Sequence, residues 1–96
     1  MSVPDGLEVF GSMPMRDAFA WEDYMTAVDG VVAQTEAVGG RGILIYTDNS
    51  QLDPWILSQY VLAHSRTLSP LVALQPACMH PHTAAKIIAS LSFLHQ

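Results

Sequence analysis

The sequence predicts an α/β fold in which three consecutive strand–helix units form a parallel sheet. Short apolar runs alternate with longer stretches of helical periodicity, in the same order each time. Two of the runs, Ile43–Tyr46 and Leu71–Leu74, are apolar at every position, which is typical of parallel strands covered on both faces. The stretch from Gly42 to Leu74 has the length of a strand–helix–strand crossover, roughly 30 residues. We therefore expect parallel pairing in sequence order, right-handed crossovers and helices on one side of the sheet.

The first unit is predicted from residues 7–40. Leu7–Phe10 is a strand candidate, and Gly11–Pro14 resembles the turn that closes it. Trp21–Val38 has helical spacing, and Gly39–Gly40 supplies a stop signal. Gly30 inside this helix should cost up to about 1 kcal/mol relative to alanine. The predicted buried face of the helix carries Tyr24, Ala27, Val28, Val31 and Val32.

The second and third helices have recognisable starts. Asp53 can accept hydrogen bonds from free backbone N–H groups, and Pro54 suits the first helical position. Pro81 repeats this signal in the third unit, and Pro70 lies at a strand entry where a missing donor is tolerated. The predicted buried stripe of the second helix comprises Ile56, Leu57, Tyr60, Val61 and Ala63. That of the third helix comprises Ala84, Ile87, Ile88, Leu91 and Leu94.

Length and composition predict a single domain, residues 1–96, with no membrane span. Half of the 96 residues are apolar and 14% are charged, which argues against intrinsic disorder. No apolar run approaches the roughly 20 residues of a membrane span, and the first residues do not resemble a secretory leader. Cys78 is the single cysteine, so an intramolecular disulfide is excluded and a cytoplasmic location is expected.

The charge pattern argues against nucleic-acid binding. The net charge is −5, and all nine acidic residues lie between Asp5 and Asp53. Arg66 and Lys86 are the only Lys or Arg residues after that. No Lys/Arg cluster is present to neutralise a phosphate backbone. The glycines of residues 39–42 do not form a phosphate loop, because they precede a strand instead of opening a helix.

Three loops are the candidate site, because ligands of parallel α/β folds gather at the C-terminal ends of the strands. These loops are Gly11–Arg16, Thr47–Leu52 and Gln75–His82. Thr47, Asp48 and Asn49 have two interpretations that spacing does not separate. They form the polar turn that ends a strand, or the hydroxyl and carboxylate face a reacting ligand.

A metal site is a weaker alternative. Cys78, His80 and His82 stand two residues apart and are ligand types that zinc uses. Pro81 is expected to start a helix between the histidines, however, and no fourth ligand is nearby, so no metal is predicted. His64 and His95 lie late in helices, where solvated or carbonyl-bonded roles are expected.

Several blocks of the sequence together resemble one enzyme family. Gly42–Trp55 resembles the second strand and following loop of bacterial-luciferase-like flavin monooxygenases. Pro70–Pro76, Met79–Pro81, Thr83–Lys86 and Ala89–Leu91 resemble the third strand and helix of that family. Alkanesulfonate monooxygenases are similar in pattern. The resemblance covers nearly the whole chain and is closer from Gly42 onward.

The resemblance implies the first three units of a (β/α)8 TIM barrel, a fold of about 250 residues. Such enzymes use reduced FMN, supplied by a separate reductase, and O2 to oxygenate a small organic substrate. The positions that Thr47 and Asp48 occupy in this resemblance imply that both residues are catalytic and face the flavin or substrate. Leu74 and Gln75, at the end of the third strand, bind the cofactor.

The resemblance also implies that Asn49 and Gln51 bind the substrate. Gln51 stands where the sulfonate-oxidising relatives have a cysteine, which argues against a sulfonate substrate. The phosphate loops of such barrels tend to follow the seventh and eighth strands, so the isolated chain is expected to be inactive. An incomplete barrel exposes sheet edges and the inner sheet face, and self-association into a homo-oligomer is therefore expected.

The alternative function is a non-catalytic interaction module. It would pair its open sheet edge with a second copy or with a chain that carries the remaining barrel strands. Retention of FMN after addition of such a chain would favour the enzymatic hypothesis.

Overall fold

The computed structural model describes residues 3–96, which form a three-stranded parallel sheet with helices following the strands. The strands pair in sequence order, β1-β2-β3, so the predicted α/β class and parallel pairing are confirmed. The elements are β1 (Phe10–Ser12), a 3-10 turn (Arg16–Ala18), α1 (Trp21–Ala37), β2 (Gly42–Tyr46), α2 (Pro54–His64), β3 (Ser69–Ala73) and α3 (Pro81–Leu94). Across the described residues, no helix combines the length and hydropathy needed to cross a membrane.

The core lies on one face of the sheet. Ile43 and Ile45 of the central strand are fully buried, and both α1 and α2 pack against them. The predicted buried face of α1 is confirmed, because its side chains at spacings of four residues enter this core. The buried members are Tyr24, Val28 and Val32, with Val31 packed beside them.

The other face of the sheet is uncovered in the described residues. Side chains of a strand alternate between faces, so Leu44 points away from the core that holds Ile43 and Ile45. Laterally paired residues of parallel strands share a face. The open sheet face, as we define it, comprises Phe10, Ser12, Gly42, Leu44, Tyr46, Ser69, Leu71 and Ala73. Its exposed members include Leu71, which is 47% exposed, and Phe10, which is 39% exposed. The expectation of strands covered on both faces is not met in this chain.

All three strands differ at their ends from the predicted ranges: β2 begins one residue earlier, at Gly42, and β3 ends at Ala73, so Leu74 follows the strand. β1 is Phe10–Ser12 and not Leu7–Phe10. Gly11 belongs to the strand because it pairs with Ile43 of β2. Glycine is required there because a Cβ would collide with the Thr35 side chain of α1. Apolar content therefore does not identify β1, since this strand requires a small residue where α1 packs against it. β3 begins at Ser69, before the predicted start, because Ser69 N–H donates to the Arg41 carbonyl at 3.1 Å.

The outer edge of β3 is unpaired in the described part of the chain. Since Ser69 N–H points towards β2, Pro70 and Val72 direct their backbone groups the other way. Pro70 therefore sits where its missing N–H costs no ladder bond, as the sequence predicts.

The start of α2 is set as predicted, but its buried stripe is rotated. Asp53 Oδ2 accepts from the backbone N–H groups of Trp55 and Ile56 at 2.9 and 3.0 Å, and Pro54 opens the helix. Ile56, predicted to be buried, is 70% exposed. Ser58 takes a buried place beside the core, which it tolerates because its hydroxyl donates to the Pro54 carbonyl at 2.7 Å. The buried positions are Pro54, Leu57, Ser58 and Val61. Leu57 and Val61 of the predicted stripe are therefore confirmed, whereas Ile56 and Ala63 are exposed.

α3 begins at Pro81 as predicted, yet it is held loosely. Only Ala84 is buried, whereas Ile88 and Leu94 of the predicted stripe are exposed. The helix start is capped by the ring of His80, whose Nδ1 accepts from the His82 N–H at 3.1 Å. The proline signal thus predicted the start of α3 correctly. The apolar side of the helix stays largely exposed among residues 3–96.

The C-terminus of α1 ends in a Schellman motif, which confirms the predicted glycine stop. Gly39 has φ of +80°, a left-handed conformation that suits glycine. The Gly40 N–H donates to the Thr35 carbonyl at 2.8 Å, and the Gly39 N–H donates to the Glu36 carbonyl at 3.1 Å. These bonds satisfy carbonyls that the helix end would otherwise leave free.

Glu36 ties α1 to the loop between α2 and β3. One carboxylate oxygen, Oε2, accepts from the backbone N–H groups of Arg66 and Thr67 at 2.6 and 2.8 Å. It also accepts from the Thr67 hydroxyl at 3.0 Å. Hydrogen bonds from the Thr67 and Arg66 backbone, in that order, hold the pKa of Glu36 below its usual value. The ionised carboxylate therefore stabilises the fold.

Replacing Gly30 by alanine should raise the free energy of unfolding by about 0.5–1 kcal/mol, because glycine costs a helix that much relative to alanine. A Cβ at this position meets no atom within 4 Å. Urea denaturation measures the change. Gly39→Ala is the matched control and should destabilise by about 1–2 kcal/mol, since alanine resists positive φ. Equal effects at the two glycines would contradict this account.

Glu36→Gln should lower stability at pH 7, with a difference from wild type that disappears in acid. A carboxylate whose folded pKa is depressed stabilises the fold above its unfolded pKa of about 4.3. That contribution is lost as the pH falls through the lower folded value. Urea midpoints measured from pH 7 to pH 3 test this, with the exposed Glu8→Gln as the charge control. A difference that stays constant across this range would refute the role of the ionised group.

Candidate functional site

The three loops that follow the strands contact one another at the C-terminal edge of the sheet. Gln51 Oε1 accepts from the backbone N–H of Arg16 at 2.7 Å, joining the second loop to the first. Gln75 Nε2 donates to the Thr47 carbonyl at 3.3 Å, joining the third loop to the second. The structure therefore brings together two of the predicted site residues, Thr47 and Gln75, whereas Gln51 contacts the first loop.

Asp48 forms a local turn at this edge. Its Oδ1 accepts from the backbone N–H and from the hydroxyl of Ser50, both at 2.8 Å. The backbone hydrogen bond, followed by the hydroxyl bond, lowers the pKa of Asp48 below its usual value. The side chain is exposed and ionised at neutral pH, so it can accept hydrogen bonds from a ligand but does not serve as a proton donor.

Thr47 carries an unused polar atom. Its Oγ1 is buried and has no hydrogen-bond partner among the described residues. A buried hydroxyl without a partner costs on the order of 1–3 kcal/mol. Thr47 is thus the predicted site residue whose hydrogen-bonding capacity the surrounding chain leaves unsatisfied.

Two predicted residues lie apart from this contact. Asn49 is exposed in the second loop. Leu74 lines a groove of about 500 Å³ on the helix-covered side of the sheet, between α2 and α3. It shares that groove with Val72 and Leu91. The structure therefore places Leu74 on the side of the sheet away from the open sheet face.

A pair of hydroxyl groups on the open sheet face was missed by the sequence reasoning. Ser12 Oγ and Tyr46 Oη are 2.7 Å apart, at the C-terminal ends of β1 and β2. The alternation of side chains from Ile45 to Tyr46 is a signal that could have identified Tyr46. Ser12 was hidden because the prediction gave it to a turn.

The cysteine and histidine side chains serve local structure. The Cys78 thiol contacts Gln75 Oε1 at 3.5 Å, and His80 caps α3. Among residues 3–96, no three His, Cys, Asp or Glu side chains come together as metal ligands. His64 Nδ1 bonds the Tyr60 carbonyl at 2.9 Å, and His95 Nε2 bonds Gln59 Oε1 at 2.7 Å.

This edge of the sheet combines apolar side chains with hydroxyl groups and carries few cations. Leu44 and Leu71 lie side by side on the open sheet face, and the Ser12–Tyr46 hydroxyl pair adds polar groups near its C-terminal end. Of the cations in the described chain, Arg16 is the one that belongs to a strand-end loop at this edge. Tight phosphate binding needs several charge-assisted donors, so a phosphate site requires residues beyond these.

Nearly the whole chain is similar to part of a known monooxygenase. No protein-family model matches the chain, and no solved structure matches it. The chain is 32% identical over 92 residues to the 4-(gamma-L-glutamylamino)butanoyl-[BtrI acyl-carrier protein] monooxygenase BtrO of Niallia circulans. The match covers 95% of this chain and 27% of that protein. Almost the whole chain is therefore similar to just over a quarter of a monooxygenase.

Proposed function

We propose that the chain is the N-terminal part of a flavin-dependent monooxygenase of the luciferase-like type. In this proposal the enzyme uses reduced FMN from a separate reductase, together with O2, to oxygenate a small organic substrate in the cytoplasm. The observation that carries the proposal is the similarity to a monooxygenase over 95% of the chain. Because the match spans only 27% of that relative, activity belongs to a longer assembly and not to this chain alone.

The architecture supports a barrel of which this chain forms the first three βα units. Parallel strands in sequence order, with helices on one face only, are the pattern of a (β/α)8 barrel wall. In that arrangement the open sheet face would line the barrel interior. Its apolar residues would then be covered by side chains from the remaining strands.

The proposed site lies where the strand-end loops meet. FMN, when bound, would supply the activation of O2. The Thr47 hydroxyl would donate or accept a hydrogen bond at the ligand, and the Asp48 carboxylate would accept one. Gln75 would hold the Thr47 carbonyl and the third loop in place, as it does at 3.3 Å. Tyr46 would orient a ligand on the open sheet face through its hydroxyl.

The remaining predicted roles stay within this proposal. Asn49 and Gln51 would contact the substrate, and Leu74 would support the strand end beside the cofactor. The relative BtrO acts, by its name, on an acyl group carried by an acyl-carrier protein. We extend to this chain only the class of a small organic substrate.

A second candidate function is a non-catalytic module that binds other chains. It is favoured by the free edge of β3 and by the apolar residues left exposed on the open sheet face. Adding a segment that supplies the remaining strands separates the two hypotheses. Retention of FMN by the mixture supports the enzyme, whereas association without FMN retention supports the module.

The isolated chain should bind FMN with a Kd no tighter than roughly 100 µM, because two or three missing charge-assisted phosphate contacts weaken binding by hundreds-fold. Quenching of FMN fluorescence during titration with the chain measures this affinity. Riboflavin, which differs from FMN only in lacking the phosphate, is the control and should bind about equally well. Sub-micromolar affinity for FMN would show that the cofactor site is misplaced.

In the protein completed by the remaining strands, Thr47→Ala or Asp48→Ala should reduce turnover by about 10-fold or more. Each should cost no more than about 1–2 kcal/mol of stability. Asp53→Ala is the matched control, because it removes a helix cap that costs about 1 kcal/mol but lies outside the proposed site. Unchanged turnover in both site variants would leave Thr47 and Asp48 as turn-forming residues.

A further inference from the structure

The hydrogen bond between Ser12 and Tyr46 joins two strands across the open sheet face. Ser12 pairs with Leu44 in the β1–β2 ladder, and Tyr46 lies two residues further along β2 on the same face. The phenol of Tyr46 reaches towards β1, where its Oη lies 2.7 Å from Ser12 Oγ. The bond therefore fixes the direction of the Tyr46 side chain at the C-terminal end of the sheet.

The pair keeps one O–H group for a third partner. Each hydroxyl carries one hydrogen and can also accept a hydrogen bond. Either atom can be the donor in the bond between them, so one of the two hydrogens stays free to bond another group. When Ser12 donates, Tyr46 becomes the free donor, and a hydroxyl that accepts one hydrogen bond donates a stronger one. The pair is therefore suited to a hydrogen-bond acceptor.

The residues around the pair favour an uncharged acceptor. None of the eight residues of the open sheet face is charged. A phosphate or carboxylate held by these residues alone would lack charge-assisted hydrogen bonds, whereas a neutral O–H donor satisfies a carbonyl oxygen. The ring of FMN carries carbonyl oxygens on a flat body, which suits the neighbouring side chains of Leu44 and Leu71.

We propose that the Tyr46 hydroxyl donates a hydrogen bond to a carbonyl oxygen of the flavin ring, and that Ser12 is the positioning residue that holds Tyr46 for this contact. The inference rests on the proposed function and names the part of the cofactor that this end of the sheet contacts. A completed barrel places the pair on its interior wall, where the strand ends meet the ligand. Ser12 acts only through Tyr46, so the two residues form a single unit.

Binding of oxidised FMN to the protein completed by the remaining strands tests the proposal. Tyr46→Phe should raise the FMN Kd by about 3- to 10-fold, because it removes one hydrogen bond. Ser12→Ala should raise the Kd less, and the double variant should bind FMN as Tyr46→Phe does. Ser12→Thr keeps the hydroxyl in a residue type that suits strands, and it should bind FMN as the wild type does. Ser69→Ala is the matched control, because it removes a hydroxyl from the same face at the start of β3, and it should leave the Kd unchanged.

The infrared spectrum of bound FMN supplies a readout that a purely structural role would not change. The ring carbonyl band should move to higher frequency in Tyr46→Phe, because loss of the hydrogen bond strengthens the C=O bond. Circular dichroism should show the wild-type helix content in each variant.

An FMN Kd and a carbonyl band that Tyr46→Phe leaves at their wild-type values would overturn the inference while the proposed function stands. A double variant that binds FMN more weakly than Tyr46→Phe would overturn the positioning role of Ser12. A completed wild-type protein that binds no FMN would overturn the proposed function and the inference together.

Discussion

Burial of Ile43 and Ile45 on one face of the central strand organises the whole structure. β2 pairs with both other strands, and α1 and α2 meet over these two side chains. Each fully buried isoleucine contributes on the order of 1.5–3 kcal/mol relative to an exposed one. Because strand residues alternate, the same arrangement turns Leu44 and Tyr46 to the face that no described element covers. The core and the open sheet face thus have a single cause.

Polar links fix the two core helices around that strand. Glu36 holds the loop before β3, and the Tyr60 hydroxyl donates to Asp29 across α1 and α2. The hydrogen bond to Asp29, together with smaller contributions from burial and charge, raises the pKa of Tyr60. α3 has a single comparable link to α2, through His95 and Gln59. α3 is weakly attached because it follows β3, at the edge of the sheet, and does not pack over the buried central strand β2.

Sequence reasoning succeeded where structure is set by local chemistry and failed where it depends on distant contacts. Asp53 and Pro54 start α2, and the glycines after α1 stop it, because these signals act on adjacent backbone. The predicted buried face of α2 was wrong in part, because hydropathy alone favoured burial of Ile56, whereas the helix buries Ser58. β1 was misplaced because its position depends on pairing with β2, which lies far away in sequence.

The candidate site was predictable in position but not in detail. The rule that ligands gather at strand ends located the loops that Gln51 and Gln75 join. It did not reveal the Ser12–Tyr46 pair, which requires the register of two strands. The proposed roles of Thr47 and Asp48 rest on resemblance, and the similarity to BtrO supports the class of reaction more than any single residue.

Amide hydrogen exchange along β3 tests most directly whether the chain is a one-sided sheet with a free edge. In a sample dilute enough to be monomeric, the Leu71 and Ala73 amides should exchange slowly, because they face β2. The Val72 amide, directed to the free edge, should exchange much faster. Equal protection of all three amides, or fast exchange at Leu71, would contradict the pairing of β3 with β2 on which the open sheet face depends.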